Sequence, residues 1–271
     1  MHTNLKKLIF VIISIGLIIT IGKRLSRHRN IYEIHSLSDI VSFIKNKKPD
    51  ELLIIFDVDG VLTIPSDPVL QPQSFENYKK DYEKLIGSLN KNQKNLLNHL
   101  IISCGPSSLI EEEIKIAVEK WQDKGIRVMA FTAAQMGPIV GVINSFSDWR
   151  YGELKRLGID FTRSFPPENN WSYLMPKYDS GFSKGILYSN GLYNEKGPVL
   201  LDFLKKSNFK PKTVLMIDDK IKNLISIGRY LNRNSYSVEL IAIHYNHNYP
   251  LTIAPSKKDF INKIMSLMKL L

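Results

Sequence analysis

The chain has 271 residues, 44% of them hydrophobic and 23% charged, a composition that excludes a disordered tail, a collagen-like fibre and a multi-span membrane protein. Its one cysteine, Cys104, excludes an internal disulfide framework and a cysteine-rich zinc site. The formal net charge of +11 is uneven, with nine Lys and Arg against three Asp and Glu in residues 1–50, so the body is only mildly basic: no nucleic-acid partner is expected, and an anionic substrate is.

Residues 8–22, LIFVIISIGLIITIG, carry no charge and lie between Lys6-Lys7 and a cluster of Lys23, Arg24, Arg27 and Arg29. A run apolar on every face and basic at both ends does not suit a buried core helix. Two readings stand, a cleaved signal peptide and an uncleaved single-span anchor. As a helix the run is about 22 Å long, short of the roughly 30 Å hydrocarbon core, and no small-x-small cleavage site closes it. The basic cluster after the run favours a cytoplasmic body by the positive-inside rule, whereas a signal peptide sends the body outward. The expectation is therefore a membrane-associated or exported protein, with the side left open.

After a basic linker, the pattern predicts a short helix over Leu37–Asn46 and a strand over Glu51–Phe56. Five consecutive apolar residues there read as a strand buried on both faces of a parallel sheet. Leucines near helical spacing predict a long helix over Ser74–Ile102. A second is predicted over Leu109–Lys124, with Glu111, Glu112 and Glu113 in its first turn. Ile126–Phe131 reads as another buried strand, and Asn190-Gly191 as a type I′ hairpin turn. The helix Val199–Lys206, the strand Thr213–Ile217, the helix Lys220–Leu231, the strand Val238–Ile243 and the helix Lys257–Leu270 complete the chain. Buried strands alternating with helices predict an α/β fold, a doubly wound, mostly parallel sheet.

Asp57-Val58-Asp59-Gly60-Val61-Leu62-Thr63 follows directly on the first strong strand. Carboxylates at i and i+2 on extended backbone point the same way, toward the crevice at the strand ends where open α/β sheets bind ligands. Two close carboxylates repel, so the pair holds a cation or shares a proton. Hard oxygen ligands without His or Cys favour Mg²⁺. One aspartate can attack a phosphoryl group, and the other can protonate the leaving group and then activate water. A plain Asp-Gly surface turn explains the pair poorly, because it follows a buried strand.

This segment resembles the first motif of the haloacid dehalogenase-like (HAD) superfamily. More narrowly, the chain resembles an uncharacterised HAD-like family of intracellular bacteria with an N-terminal export or anchor segment. The resemblance covers residues 51–245 and implies three further motifs. Thr132, at the end of a strand, is the implied hydroxyl for a phosphate oxygen. Lys196, opening a helix, is the implied phosphate-site lysine, with Lys184 and Lys177 as competitors. Asp218 is implied as a metal ligand, with Asp219 orienting the metal's water shell. An Asp at position 59, where ATPases of the superfamily carry Thr, implies phosphatase or phosphomutase chemistry. The superfamily places a helical cap between its first two motifs. The implied organisation is a signal or anchor at 1–30, a core at 31–63 and 125–271, and a cap at 64–124.

The resulting expectation is a Mg²⁺-dependent phosphatase with an aspartyl-phosphate intermediate and a phosphorylated small-molecule substrate. Asp57 and Asp59 are its catalytic residues, Thr132 and Lys196 its phosphate-binding residues, and Asp57, Asp59 (through its carbonyl), Asp218 and Asp219 its metal site. The alternative is a catalytically silent HAD-fold binding or effector module. His244 and His247, with no third ligand in sequence, read as capping or exposed residues. Trp121, Trp149 and Trp171 read as packing residues, and Cys104 with His99 as no catalytic pair.

Overall fold

The computed structural model describes residues 31–139, 141–165, 173–175, 180–207, 209–247 and 254–271. The apolar run at 8–22, Trp171 and Lys177 lie outside the described residues. Among the described residues no helix is long and apolar enough to cross a membrane.

The strands are β1 (Ile31–Ile34), β2 (Leu52–Phe56), β3 (Thr63–Pro65), β4 (Ser107–Leu109), β5 (Arg127–Thr132), β6 (Tyr173–Met175), β7 (Ser180–Ser183), β8 (Ile186–Tyr188), β9 (Thr213–Asp218) and β10 (Glu239–Tyr245). Eight of them form one sheet in the order β1-β10-β9-β2-β5-β8-β7-β6, while β3 and β4 pair as a separate antiparallel ribbon. Every pairing from β1 to β8 is parallel, and β7 and β6 extend the sheet antiparallel.

The helices are α1 (Ile40–Ile44), α2 (Pro72–Asn77), α3 (Lys79–Leu85), α4 (Lys91–Ser103), α5 (Ile114–Asp123), α6 (Phe146–Arg156), α7 (Lys196–Lys206), α8 (Ile221–Arg233) and α9 (Lys257–Met268). The side chains of the central strands alternate between two apolar clusters. Leu52, Ile54 and Phe56 join Leu215 and Ile217 under α1, α5 and α6. Leu53 and Ile55 join Val214 and Met216 under α7 and α8. That two-sided burial is why β2 reads as an unbroken apolar run, each such side chain contributing about 1.5–3 kcal/mol. The doubly wound, mostly parallel α/β class expected from the sequence is the one observed.

The connection between β3 and β4 carries α2, α3 and α4. These helices bury their apolar faces against the C-terminal helix α9, in a satellite cluster of Leu70, Leu97, Leu100 and Ile101 with Phe260, Ile264 and Leu267. α5 instead packs on the sheet, with Trp121 stacked on Phe56 at 6.2 Å between centroids.

Three local expectations are corrected. The helix expected over 74–102 is broken, because Asn90 starts a new helix with a capping box in which its side chain and that of Gln93 each accept from the other's backbone N–H. Glu111 does not sit in a helical first turn. Its carboxylate accepts from Leu37 N–H at 2.8 Å, Ser36 Oγ at 2.9 Å and Tyr245 Oη at 2.6 Å, tying three segments together. The hairpin turns at Lys184-Gly185, with φ of 51° and 76°, not at Asn190-Gly191. The latter pair follows β8 and passes beside β5, where Gly191 N–H donates to Ala133 O at 2.7 Å.

Candidate active site

The three parallel neighbours β5, β2 and β9 end on one edge, and each delivers a polar residue there. Asp57 follows β2, Thr132 ends β5, and Asp218 ends β9 with Asp219 next in line. Lys196 enters from the first turn of α7. Asp57, Lys196 and Asp218 are 4%, 2% and 0% exposed. Lys196 Nζ lies 2.9 Å from Asp57 Oδ1 and 2.7 Å from Asp218 Oδ2, and it donates to Phe131 O at 2.7 Å. Burial works against its ammonium, but Asp218 and Asp57 outweigh burial and hold its pKa above the usual lysine value.

Asp57, Asp218 and Asp219 each offer an oxygen, all within 4.8 Å of one another. Their surroundings differ. Asp218 accepts from Lys196, from Asn223 Nδ2 at 2.9 and 3.1 Å, and from Lys220 N–H at 2.8 Å. Asp219 Oδ1 is buried with no hydrogen-bond partner. Burial, with the nearby Asp57 charge, pushes the Asp219 pKa up to about 7. An orphaned oxygen among three hard carboxylates is what a divalent cation satisfies, so the residues fit Mg²⁺. Asp219 Oδ1 has no partner, whereas both Asp218 oxygens already accept hydrogen bonds from the protein. Gly60 makes the close approach possible, since at its φ of +93° a Cβ would lie 2.8 Å from Asp219 Oδ2.

Asp59 is placed apart. Its two oxygens accept from Arg150 Nη2 at 2.8 and 2.9 Å, so its carboxylate is not part of the cation cluster. Arg150, on α6, is fully buried. Its Nη1 donates to Glu153 at 2.6 Å, and Glu153 accepts in turn from Ser107 Oγ on β4 at 2.5 Å. Thr132 Oγ1 accepts from Ala134 N–H at 3.1 Å, which leaves its own proton free to donate.

A cavity of about 940 Å³ opens over this edge. Asp57, Asp59, Thr132 and Lys196 line it from the core and His99 from α4. Burial depresses the His99 pKa, and its Nε2 is buried without a partner.

The structure therefore brings together Asp57, Thr132, Lys196, Asp218 and Asp219 and holds Asp59 beside them on Arg150. Lys184 lies elsewhere, paired with Asp148 on the surface. His244 Nε2 lies 3.2 Å from Asp219 O, and His247 stacks on Tyr245. Sequence reasoning missed Arg150. Asn223 was legible five residues after Asp218, in the first turn of a helix. Arg150 carried no local signal.

A family profile described as "Protein of unknown function (DUF2608)" matches residues 33–265. An uncharacterized protein of Rickettsia bellii is 30% identical over 217 residues, covering 76% of this chain and 72% of that protein. An uncharacterized protein of Rickettsia conorii is 29% identical over 244 residues, covering 84% and 80%. Among solved structures, the HAD domain of the effector protein Lem4 from Legionella pneumophila (an inactive mutant) aligns with a TM-score of 0.36 and 10% identity, over 81% of this chain and 95% of that one.

Proposed function

The chain belongs to the DUF2608 family, and from that premise we propose that it is a HAD-type, Mg²⁺-dependent phosphohydrolase that works through an aspartyl-phosphate. The observation that carries this reading is the cluster of buried Asp57 and Asp218, bridged by Lys196, with half-buried Asp219 beside them holding one unsatisfied oxygen.

Asp57, Asp218 and Asp219, with the Asp59 carbonyl, would hold Mg²⁺, which would supply charge neutralisation for the phosphoryl oxygens. The chain's own residues do the rest. Val58 N–H and Lys196 both engage Asp57 Oδ1, which leaves Oδ2 to attack phosphorus. The bond from phosphorus to the ester oxygen breaks as the new one forms, and Asp59 delivers a proton to the departing oxygen. Asp59 then takes a proton from a water that attacks the phosphoryl–Asp57 bond, releasing inorganic phosphate and restoring both carboxyl groups. Lys196 neutralises the nucleophile and the phosphate, and the Thr132 hydroxyl donates to a phosphate oxygen. The helices α2–α4 form the cap over the site, excluding water. Residues 8–22 direct the protein to a membrane.

A second reading, a silent binding module, draws support from one feature: Arg150 occupies both oxygens of Asp59, the residue that must exchange protons. One assay separates the two. Full-length protein with Mg²⁺ should release phosphate from an aryl phosphate, lose that activity reversibly in EDTA, and lose it as Asp57→Asn. No release from the wild type under any divalent ion would favour the silent module.

A further inference from the structure

The cavity over the acidic centre far exceeds the needs of the group to be transferred. Its volume is about 940 Å³, whereas the five heavy atoms of a phosphate occupy on the order of 150 Å³ if each takes a water's share. Its charge is also out of balance. Lys91, Lys94, Lys196, Lys220 and Lys222 line it against Asp57, Asp59 and Glu195. Each of those acids is already answered: Asp57 by Lys196, Asp59 by Arg150, and Glu195 by Arg229 and Ser226. Lys220 faces Asp219 at 3.6 Å. Lys91 donates to Leu192 O at 2.8 Å, which stitches the start of α4 to the loop before α7. Lys94 and Lys222 meet no acid among the described residues.

The arrangement on α4 is systematic. Lys91, Lys94, Asn95 and Asn98 stand at i, i+3, i+4 and i+7, one face of a helix, and all line the cavity. Lys222 lines the same cavity from another element, in the first turn of α8. Cations from two separate elements thus line one cavity whose volume the reacting phosphate does not fill. Like charges gathered at a cavity favour an anionic occupant. Two lysine ammoniums carry two positive charges, which a phosphate monoester near its dianion balances, whereas a carboxylate answers only one of them.

We propose that the substrate carries a second phosphate, seated between Lys94 and Lys222, with Asn95 and Asn98 donating to the oxygens that link it to the reacting end. This rests on the phosphohydrolase reading of the same cavity. It narrows the substrate class to small bisphosphorylated molecules.

The test compares three matched probes on the full-length protein: hexanediol bisphosphate, hexyl monophosphate, and the phosphate ester of hydroxyhexanoic acid. Affinity is read by calorimetry on Asp57→Asn, so that it does not depend on turnover, and kcat/KM is read on the wild type. The bisphosphate should bind about tenfold or more tighter than the monophosphate. Adding Lys94→Ala and Lys222→Ala should reduce that ratio to less than about twofold. Equal affinity for the first two probes, or a ratio that survives loss of both lysines, overturns the proposal. A carboxylated ester that matches the bisphosphate removes the assignment to phosphate. Turnover of hexyl monophosphate without any preference defeats this inference alone. A retained tenfold ratio with no turnover of any probe defeats the hydrolase reading and supports the second-phosphate site.

Discussion

Replacing Lys196 by Met keeps most of the buried stem and removes one charge, so it tests the electrostatics of the site directly. In the folded chain the ammonium sits 2.9 Å from Asp57 and 2.7 Å from Asp218. At an effective dielectric of about 20, each contact is worth roughly 6 kcal/mol before desolvation is charged against it. The two carboxylates, within 4.8 Å of each other, repel by about 3.5 kcal/mol or more on the same scale. Most of the gross attraction is offset by burying all three groups, so the expected net loss is the usual cost of stranding buried charge, about 3–5 kcal/mol. The assay is urea unfolding of the metal-free protein near neutral pH. The Lys196 pKa is raised in the fold, so its contribution is complete below the unfolded lysine value of about 10.4 and fades only as pH climbs through the folded value; neutral pH lies on the plateau. The double variant with Asp218→Asn should cost clearly less than the two single losses together, because the three groups form one network. A loss under about 1 kcal/mol, or strict additivity, would refute this account of the site.

Other consequences can be checked separately. The Asp219 pKa is pushed up to about 7, so its own contribution to metal-free stability, read as the difference from Asp219→Asn, should be greatest below the unfolded carboxyl value near 4 and decline as pH rises toward 7, by at most about 1.4 kcal/mol per unit. Saturating Mg²⁺ should remove that decline, and urea midpoints with and without EDTA would show it. Gly60→Ala should weaken Mg²⁺ binding in calorimetry as well as lower Tm, since a Cβ there would lie 2.8 Å from Asp219 Oδ2 at a φ few side chains adopt. Arg150→Ala strands Asp59 and Glu153 and should cost about 3–5 kcal/mol in chemical denaturation. Adding Glu153→Gln should return part of that loss.

The central sheet was legible because burial on both faces leaves an unmistakable apolar run, as in Leu52–Phe56. The acids were legible because they stop such runs abruptly at strand ends. Lys196 could be chosen over Lys184 because Gly197 and Pro198 mark the opening of a helix. The missed elements are short or depend on distant partners. β3 and β4 have three residues each, too few for any periodicity. The strongest sequence signal for a hairpin, Asn190-Gly191, lost to Lys184-Gly185 because the strands β7 and β8 end there, and turn propensity is decided by what the flanking chain can pair. The capping box that splits the long helix could have been read from Asn90 and Gln93. Arg150 could not. Its burial depends on meeting an aspartate 91 positions earlier, and nothing in the surrounding DWRYGELKR distinguishes it from a solvated helical arginine. That Asp219 Oδ1 lacks a partner while Asp218 is engaged is likewise tertiary, set by Lys196 and Asn223 donating to Asp218.

The most direct measurement is mass spectrometry of the protein quenched in acid during turnover of an aryl phosphate with Mg²⁺. A covalent nucleophile predicts one phosphoryl group on the peptide that contains Asp57, present in wild type and missing from Asp57→Asn. Steady phosphate release with no adduct on that peptide, or release undiminished in the Asn variant, would contradict it.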